Sequence, residues 1–102
     1  MKKFDYDKEC ERGIEKWEDL IMHASWGREI EFSFNGIPYF LQPSSWNEEN
    51  ESYDEFLLYA TITETEGELV LRGTSEQIVD YQFNGGYTLR ENFEKFKLDY
   101  MF

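Results

Sequence analysis

The amino-acid sequence predicts an α+β fold, in which an N-terminal amphipathic helix precedes an antiparallel sheet of about four strands. Three observations lead to this prediction: an apolar stripe with helical spacing near the start, strict alternation around a two-residue turn, and two helix-start signals near the end. The chain has 102 residues, of which 40% are hydrophobic and 19% aromatic. We therefore expect one folded domain over residues 1–102.

The N-terminal helix is predicted from apolar residues that recur every three or four positions. These residues are Cys10, Ile14, Trp17, Ile21 and Ala24. Their spacing places the side chains on one stripe of a helix. Asp5 or Asp7 can cap the start of this helix, and Gly27 can adopt the left-handed conformation that ends it.

The clearest local signal is a β-hairpin centred on Asn35 and Gly36. Both residues tolerate the positive φ angles of a type I′ turn, and alternating apolar residues flank them. The turn predicts three cross-strand pairs on one sheet face, namely Phe34 with Ile37, Phe32 with Tyr39, and Ile30 with Leu41. Pro38 lacks a backbone N–H, which favours an edge position for the returning strand.

The middle of the chain is predicted to form a loop and then a second hairpin. Residues 43–52 are polar and surround Trp46, so we expect a loop there. Alternation then predicts a third strand over residues 53–63, a turn at Gly67 and a fourth strand at residues 69–71.

Two short helices and a closing strand are predicted for the last third of the chain. Thr74 with Gln77, and Thr88 with Glu91, match the capping box, in which both side chains satisfy N–H groups at a helix start. From Phe96 onwards apolar and polar residues alternate, which predicts a short strand. The alternative is a continued helix.

Two sequence blocks, Gly27–Gly36 and Asn84–Phe93, each combine a glycine turn with aromatic residues. They resemble the opening hairpin and the closing segment of a group of small acidic proteins from Gram-positive bacteria and their mobile elements. The resemblance covers about half of the chain and implies a compact α+β fold. The group is uncharacterised, so the resemblance implies no activity and no functional residue.

The negative charge of the chain is concentrated in its middle. The formal net charge is −12, yet residues 1–28 hold seven acids and six bases, and residues 72–102 hold five acids and four bases. Residues 29–71 hold ten acids and no Lys or Arg. Direct nucleic-acid binding is disfavoured, because affinity for phosphates comes from Lys and Arg.

The sequence shows no catalytic, cofactor-binding or metal-binding motif. Cys10 and His23 are the only candidates for a nucleophile and a base, and their positions on one helix place them about 140° apart around it. We therefore predict a protein that is not an enzyme, with His23 at the surface or at the core boundary. The acidic run at residues 48–55 lacks the register of a calcium loop, so we expect a solvated loop there.

The start of the chain and its apolar runs predict a cytoplasmic location. No apolar run follows the basic residues after Met1, so we expect no signal peptide. The run at residues 56–60 is among the longest apolar runs of the chain, and it is far shorter than the ~20 residues of a membrane span. We expect no membrane partner.

The hypothesis that this charge favours is a non-enzymatic binding or inhibitor protein. The central carboxylates, with Trp46 as an apolar anchor, would meet the groove of a basic protein that normally holds nucleic acid. Alternate residues of an extended strand lie about 6.6 to 6.8 Å apart, close to two phosphate steps of about 3.4 Å. The candidate partner-binding residues are Glu29, Glu31, Trp46, Glu48, Glu49, Glu51, Asp54, Glu55, Glu64, Glu66 and Glu68.

Two other interpretations remain open. The chain could be a structural or accessory protein that forms a homodimer through the strand that bears Pro38 or through exposed aromatic residues. The acids could also serve only to keep the wet face of a small sheet soluble and to prevent edge pairing.

Overall fold

The computed structural model describes residues 14–61 and 66–102. In chain order its elements are α1 (Trp17–Ser25), β1 (Ile30–Phe34), β2 (Ile37–Asn47), β3 (Ser52–Thr61), β4 (Gly67–Gly73), α2 (Ser75–Val79), α3 (Leu89–Asn92), a 3-10 turn (Phe93–Lys95) and β5 (Lys97–Met101). The strands form one antiparallel sheet in the order β4-β3-β2-β1-β5. The α+β class is confirmed, with five strands instead of about four, because the C-terminal strand pairs with β1.

The first hairpin has the predicted turn and register. Asn35 and Gly36 have φ angles of 52° and 76°, as a type I′ turn requires. The cross-strand partners of β1 and β2 are Ile30 with Leu41, Phe32 with Tyr39, and Phe34 with Ile37. The predicted register is therefore confirmed. It could be predicted because a two-residue turn fixes the register of the strands that it joins.

Pro38 does not mark an edge strand, and that prediction is wrong. Its strand, β2, lies in the centre of the sheet between β1 and β3. Pro38 pairs with Ser33 on one side, whereas the register between β2 and β3 starts one residue later, at Tyr39 and Ala60. A proline is tolerated at this position because it lies just outside the register with β3.

Helix α1 is shorter than predicted. Residues 14–16 are not helical and the helix begins at Trp17, whereas Asp5, Asp7 and Cys10 lie outside the described residues. The carboxylate of Asp19 accepts hydrogen bonds from the N–H groups of Glu15 (3.1 Å) and Lys16 (3.3 Å). This carboxylate satisfies N–H groups at the helix start, which the sequence analysis assigned to an earlier aspartate.

The end of α1 is the one that the sequence predicts. Gly27 has a φ of 103°. Its N–H donates to the carbonyl of Ala24 (3.0 Å), and the N–H of Arg28 donates to that of His23 (3.2 Å). These two bonds form a Schellman motif, for which a glycine in the left-handed conformation is favoured.

The side of α1 that faces the sheet differs from the predicted stripe. Leu20, His23 and Ala24 are buried, whereas Trp17 and Ile21 are only partly buried. The prediction that His23 lies at the surface or at the core boundary is therefore wrong, since its side chain is 1% exposed. The helix is rotated so that Trp17 lies beneath the guanidinium of Arg90, whose Cζ is 4.8 Å from the ring centroid.

The core lies between one face of the sheet and the helices. The buried apolar residues of this cluster are Leu20, Ala24, Ile30, Phe32, Phe34, Tyr39, Leu41, Phe56, Leu58, Ile78, Val79, Phe83 and Leu89. Strand residues of one parity and residues of all three helices contribute to it. The described helices therefore cover the same face of the sheet.

Of the two predicted capping boxes in the C-terminal third, the first is complete and the second is half formed. At α2 the hydroxyl of Thr74 accepts the N–H of Gln77 (3.4 Å), and the Gln77 side chain accepts the N–H of Thr74 (2.9 Å). At α3 the hydroxyl of Thr88 accepts the N–H of Glu91 (3.1 Å), but the N–H of Thr88 donates to the side chain of Asn92 (3.2 Å) instead of the predicted Glu91. The chain after Phe96 is a strand, so the alternative of a continued helix is wrong.

Residues 43–52 do not form the predicted loop. Strand β2 continues to Asn47 and β3 begins at Ser52, which leaves only residues 48–51 as the turn. The predicted turn at Gly67 is also displaced, because Gly67 is the first residue of β4. Among residues 14–61 and 66–102, no helix has the length and the apolar character that a membrane span needs.

Candidate functional site

The hairpin between β2 and β3 extends beyond the rest of the sheet. The pairing of β1 with β2 ends at Leu41, and the pairing of β4 with β3 ends at Phe56. On its other side Phe56 is paired with Pro43 of β2. In the described part of the chain, residues 44–47 and 52–55 therefore pair only with each other. We call residues 44–55 the acidic hairpin; at about 3.3 Å per residue its four-residue arm is roughly 13 Å long.

An aromatic pair stabilises the acidic hairpin at its middle. Trp46 lies opposite Tyr53, and their rings meet edge to face with centroids 5.1 Å apart. Tyr53 is half-buried against the core, whereas Trp46 is 51% exposed. Trp46 is thus a rigid, solvent-facing aromatic group, which is the type of side chain that protein interfaces use as an anchor.

Asn47 holds the turn of the acidic hairpin in place. Its side-chain oxygen accepts the N–H groups of Glu49 (2.9 Å) and Asn50 (3.2 Å), and its amide nitrogen donates to the carboxylate of Asp54 (2.8 Å). Glu51 completes the turn with a φ of 51°. These local bonds replace the apolar contacts that the tip lacks.

The acidic hairpin carries five carboxylates and no Lys or Arg. Four of these residues, Glu48, Glu49, Glu51 and Asp54, are exposed. Glu55 is half-buried, and its carboxylate accepts the hydroxyls of Ser44 (3.2 Å) and Ser45 (3.4 Å). The hairpin therefore presents a concentrated negative charge beside an exposed indole ring.

The remaining predicted site residues lie elsewhere. Glu66 and Glu68 are at the other end of β3, next to and within β4, and Glu64 is outside the described residues. The eight residue steps from Tyr53 to Thr61 separate the two ends of β3 by roughly 26 Å. The structure thus divides the central acids into groups instead of one patch, and it brings together six of the eleven candidates.

Glu29 and Glu31 form a third group, on the sheet face away from the helices. Glu31 lies between Phe40 of β2 and Tyr100 of β5. The backbone carbonyl of Glu29 accepts the N–H of Phe102 (2.8 Å). Glu31 therefore has aromatic neighbours on both sides, whereas Glu29 is exposed at the start of β1.

A row of large side chains crosses this face and is not apparent from the amino-acid sequence. From one edge of the sheet to the other, the row consists of Leu69, Tyr59, Phe40, Glu31 and Tyr100. The ring of Phe102 extends it, with its centroid 4.7 Å from that of Tyr100 and 6.4 Å from that of Phe40. The row depends on the register of all five strands, and the sequence predicts the register of only one pair, β1 with β2.

The described residues also contain a small apolar pocket on the helical side of the sheet. Its volume is about 130 Å³, and its lining residues are Ile14, Leu20, Phe32, Leu89, Phe93, Phe96 and Leu98. Every lining residue is apolar, so the pocket offers no group for acid–base or nucleophilic chemistry. Within residues 14–61 and 66–102, no group of three or more His, Cys, Asp and Glu side chains is placed to hold a metal ion.

Comparison with known proteins adds no relative to this picture. No protein-family model matches the chain, and no curated protein or solved structure gives a significant match. The resemblance to small acidic proteins of Gram-positive bacteria therefore stays a prediction.

Proposed function

We propose that this chain is a non-enzymatic binding or inhibitor protein that engages a basic protein through its central acidic segment. The partner's chemistry is that of a groove lined by Lys and Arg, such as one that holds nucleic acid. The observation that carries the proposal is the acidic hairpin, which extends beyond the sheet and combines five carboxylates with an exposed tryptophan.

Charge and shape support the same partner. A narrow two-stranded hairpin can enter a groove. The carboxylates at its tip attract a basic lining over a distance that shortens as the salt concentration rises. Trp46 supplies the apolar contact that electrostatics alone does not provide, because aromatic anchors dominate interface energies. Of the predicted residues, those on the acidic hairpin are therefore the first to test.

The test is affinity capture from a host lysate, with the intact chain on the support and a stepwise increase in salt. We expect a basic or nucleic-acid-binding protein that elutes as salt rises, since its contacts are between charges. The captured protein is then purified and bound to its own nucleic acid. If the chain displaces that nucleic acid, the inhibitor role is supported; if both bind together, that role is excluded.

A matched pair of variants separates the acidic hairpin from net charge. Replacing Glu48, Glu49 and Glu51 by Gln removes three charges from the tip, whereas the control replaces Glu15, Glu18 and Glu94 by Gln and removes three exposed charges elsewhere. We expect the tip variant to bind at least about tenfold more weakly and the control to bind like wild type. Equal losses in the two variants would reassign the binding to overall charge.

A second candidate function is a structural or accessory role in which copies of the chain associate. Exposed aromatic side chains favour it, since Tyr100 and Phe102 are more than half exposed. The route through the strand of Pro38 is excluded, because β2 has neighbours on both sides. Light scattering tests this candidate: a strict monomer at high concentration removes it.

A further inference from the structure

The C-terminal strand β5 is an outer strand of the sheet and is unusually apolar at its surface. It pairs with β1, with a β-bulge that places Asp99 between the partners Phe32–Leu98 and Glu31–Tyr100, and it ends the strand order of the described residues. Leu98, Tyr100 and Phe102, on or just after β5, are 39%, 58% and 59% exposed. The other outer strand, β4, exposes a single large apolar side chain among those described, Leu69. An unpaired strand edge with exposed apolar side chains is a template for pairing with another strand.

The charge of β5 differs from that of the acidic segment. Its charged residues are Lys97 and Asp99, so the strand is neutral in a chain with a net charge of −12. The ammonium of Lys97 lies 3.8 Å from the carboxylate of Asp99, and the Lys97 side chain is 81% exposed. This neutral edge can therefore approach an identical edge without facing like charges at close range.

We propose that β5 pairs with β5 of a second copy of this chain. The two strands run antiparallel about a two-fold axis at Leu98, so that two five-stranded sheets join into one. In this register Lys97 faces the partner's Asp99, and Asp99 faces the partner's Lys97. A register centred on Asp99 would place two carboxylates opposite each other, which is unfavourable between neighbouring strands.

The second copy, and not an unrelated strand, is the occupant because the edge is complementary to itself. Each strand supplies one cation and one anion, two residues apart, and a two-fold axis between them pairs each charge with its opposite. Leu98, on the helical side of the sheet, meets its own counterpart at the axis, whereas Tyr100 and Phe102 lie beside the joined strands on the opposite face. This inference does not depend on the acidic hairpin, which lies at the far end of β2 and β3.

Salt separates this interaction from binding to a basic protein. Two copies with a net charge of −12 repel each other, and salt screens that repulsion while backbone pairing and apolar contact persist. We expect the dimer fraction to rise between low and moderate salt, as measured by sedimentation equilibrium over a range of protein concentrations. A chain that stays monomeric at high concentration in both salts overturns the proposal.

Charge exchange across the two-fold axis tests the register. Lys97→Asp places two acids on each strand, and Asp99→Lys places two bases on each strand, so each variant alone faces like charges. We expect each single variant to dimerise roughly tenfold more weakly than wild type. An equimolar mixture of the two restores the pairing as a heterodimer, because every acid then faces a base of the other chain.

Two control variants keep the test specific. Lys95→Asp and Glu94→Lys make the same charge changes next to β5, on exposed residues of the preceding turn. We expect both to dimerise like wild type, alone and mixed. Recovery in the mixture cannot arise within one chain, so a change in the fold of either variant cannot imitate it. If the mixture stays monomeric while wild type dimerises, the contact lies elsewhere.

Discussion

The acidic hairpin and the part of the sheet below it consist of the same two strands, yet different forces hold them. We call the rest of these two strands, from Pro43 back along β2 and from Phe56 onward along β3, the sheet body. Apolar side chains there, such as Leu41 and Leu58, are fully buried. In the acidic hairpin, hydrogen bonds to Asn47 hold the turn, and the contact between the rings of Trp46 and Tyr53 joins the two strands. Burial stabilises the fold in the sheet body, and the acidic hairpin is left free to carry charge.

The largest expected difference is between two aromatic residues on either side of this boundary. Phe56, at the base of the acidic hairpin, is 1% exposed, whereas Trp46 is half exposed. Phe56→Ala should lower the free energy of unfolding by about 3 to 5 kcal/mol, because it leaves a cavity in the core. Trp46→Ala should cost about 1 kcal/mol or less, as is usual for exposed sites. Urea titration of both variants checks this, and equal losses would show that the acidic hairpin belongs to the cooperative core.

A smaller effect is expected where the end of α1 touches the acidic hairpin. A Cβ added at Gly27 would lie 3.1 Å from Cε2 of Tyr53, whereas one at Gly36 has nothing within 4 Å. Both glycines have positive φ angles, so replacement by Ala strains either backbone by about 1 to 3 kcal/mol.

Only Gly27→Ala should also disturb the Trp46 and Tyr53 pair. In a background with Trp17 and Trp26 replaced by Phe, we expect Gly27→Ala to change the fluorescence of Trp46 and Gly36→Ala to leave it unchanged. Identical spectra for both variants would mean that the acidic hairpin is not coupled to α1.

A third effect is confined to the contact between α2 and α3 and depends on pH. Arg90 donates from Nε to the carboxylate of Asp80 (2.7 Å) and pairs with Glu76. The hydrogen bond from Arg90 holds the pKa of Asp80 below its ordinary value. A lowered folded-state pKa contributes stability that is present above the unfolded value and is lost as pH falls through the folded value.

Arg90→Gln should therefore destabilise the chain at pH 7 by less than Gly27→Ala does. The difference from wild type should shrink as pH falls below the ordinary pKa of an aspartate, about 3.9. Thermal unfolding at pH 7 and at pH 3 checks this. A difference that is constant with pH would assign the effect of Arg90 to its contact with Trp17 instead.

The smallest global effect is expected at the tip. Asn47→Ala removes the bonds to the N–H groups of Glu49 and Asn50, yet the free energy of unfolding should change by about 0.5 kcal/mol or less. We expect the tip to open locally without unfolding the sheet body, so that a weaker tip leaves the global unfolding free energy almost unchanged. Hydrogen exchange of these two amides should become faster, whereas that of Leu58 should not. Faster exchange at Leu58 would contradict the boundary between the two regions.

The parts of the fold that could be predicted are those that local chemistry decides. Asn35-Gly36 fixes one turn and hence one register, and the hydroxyls of Thr74 and Thr88 fix two helix starts. The acidic hairpin was missed because residues 44–55 show no apolar alternation, so no local pattern indicates that Trp46 meets Tyr53, seven positions away. The orientation of α1 that buries His23 is accompanied by a contact between Trp17 and Arg90, which are far apart in sequence. Such contacts follow from tertiary packing and not from local propensity.

The candidate site was predicted in composition but not in arrangement. The count of acids in residues 29–71 was available from the sequence, whereas their division into groups depends on where each strand ends. The edge of β5 was foreseen only as a strand, since its position outside β1 required the order of the whole sheet.

The placement of the acidic hairpin would also determine how an encounter with the proposed basic partner begins. Complementary charges raise association rates from about 10⁵–10⁶ to as much as about 10⁸–10⁹ per molar per second at low salt. With the carboxylates gathered at one projecting tip, that attraction acts as a torque that turns the tip towards the partner before contact. In such an encounter the gain would appear in the rate of association more than in the lifetime of the complex.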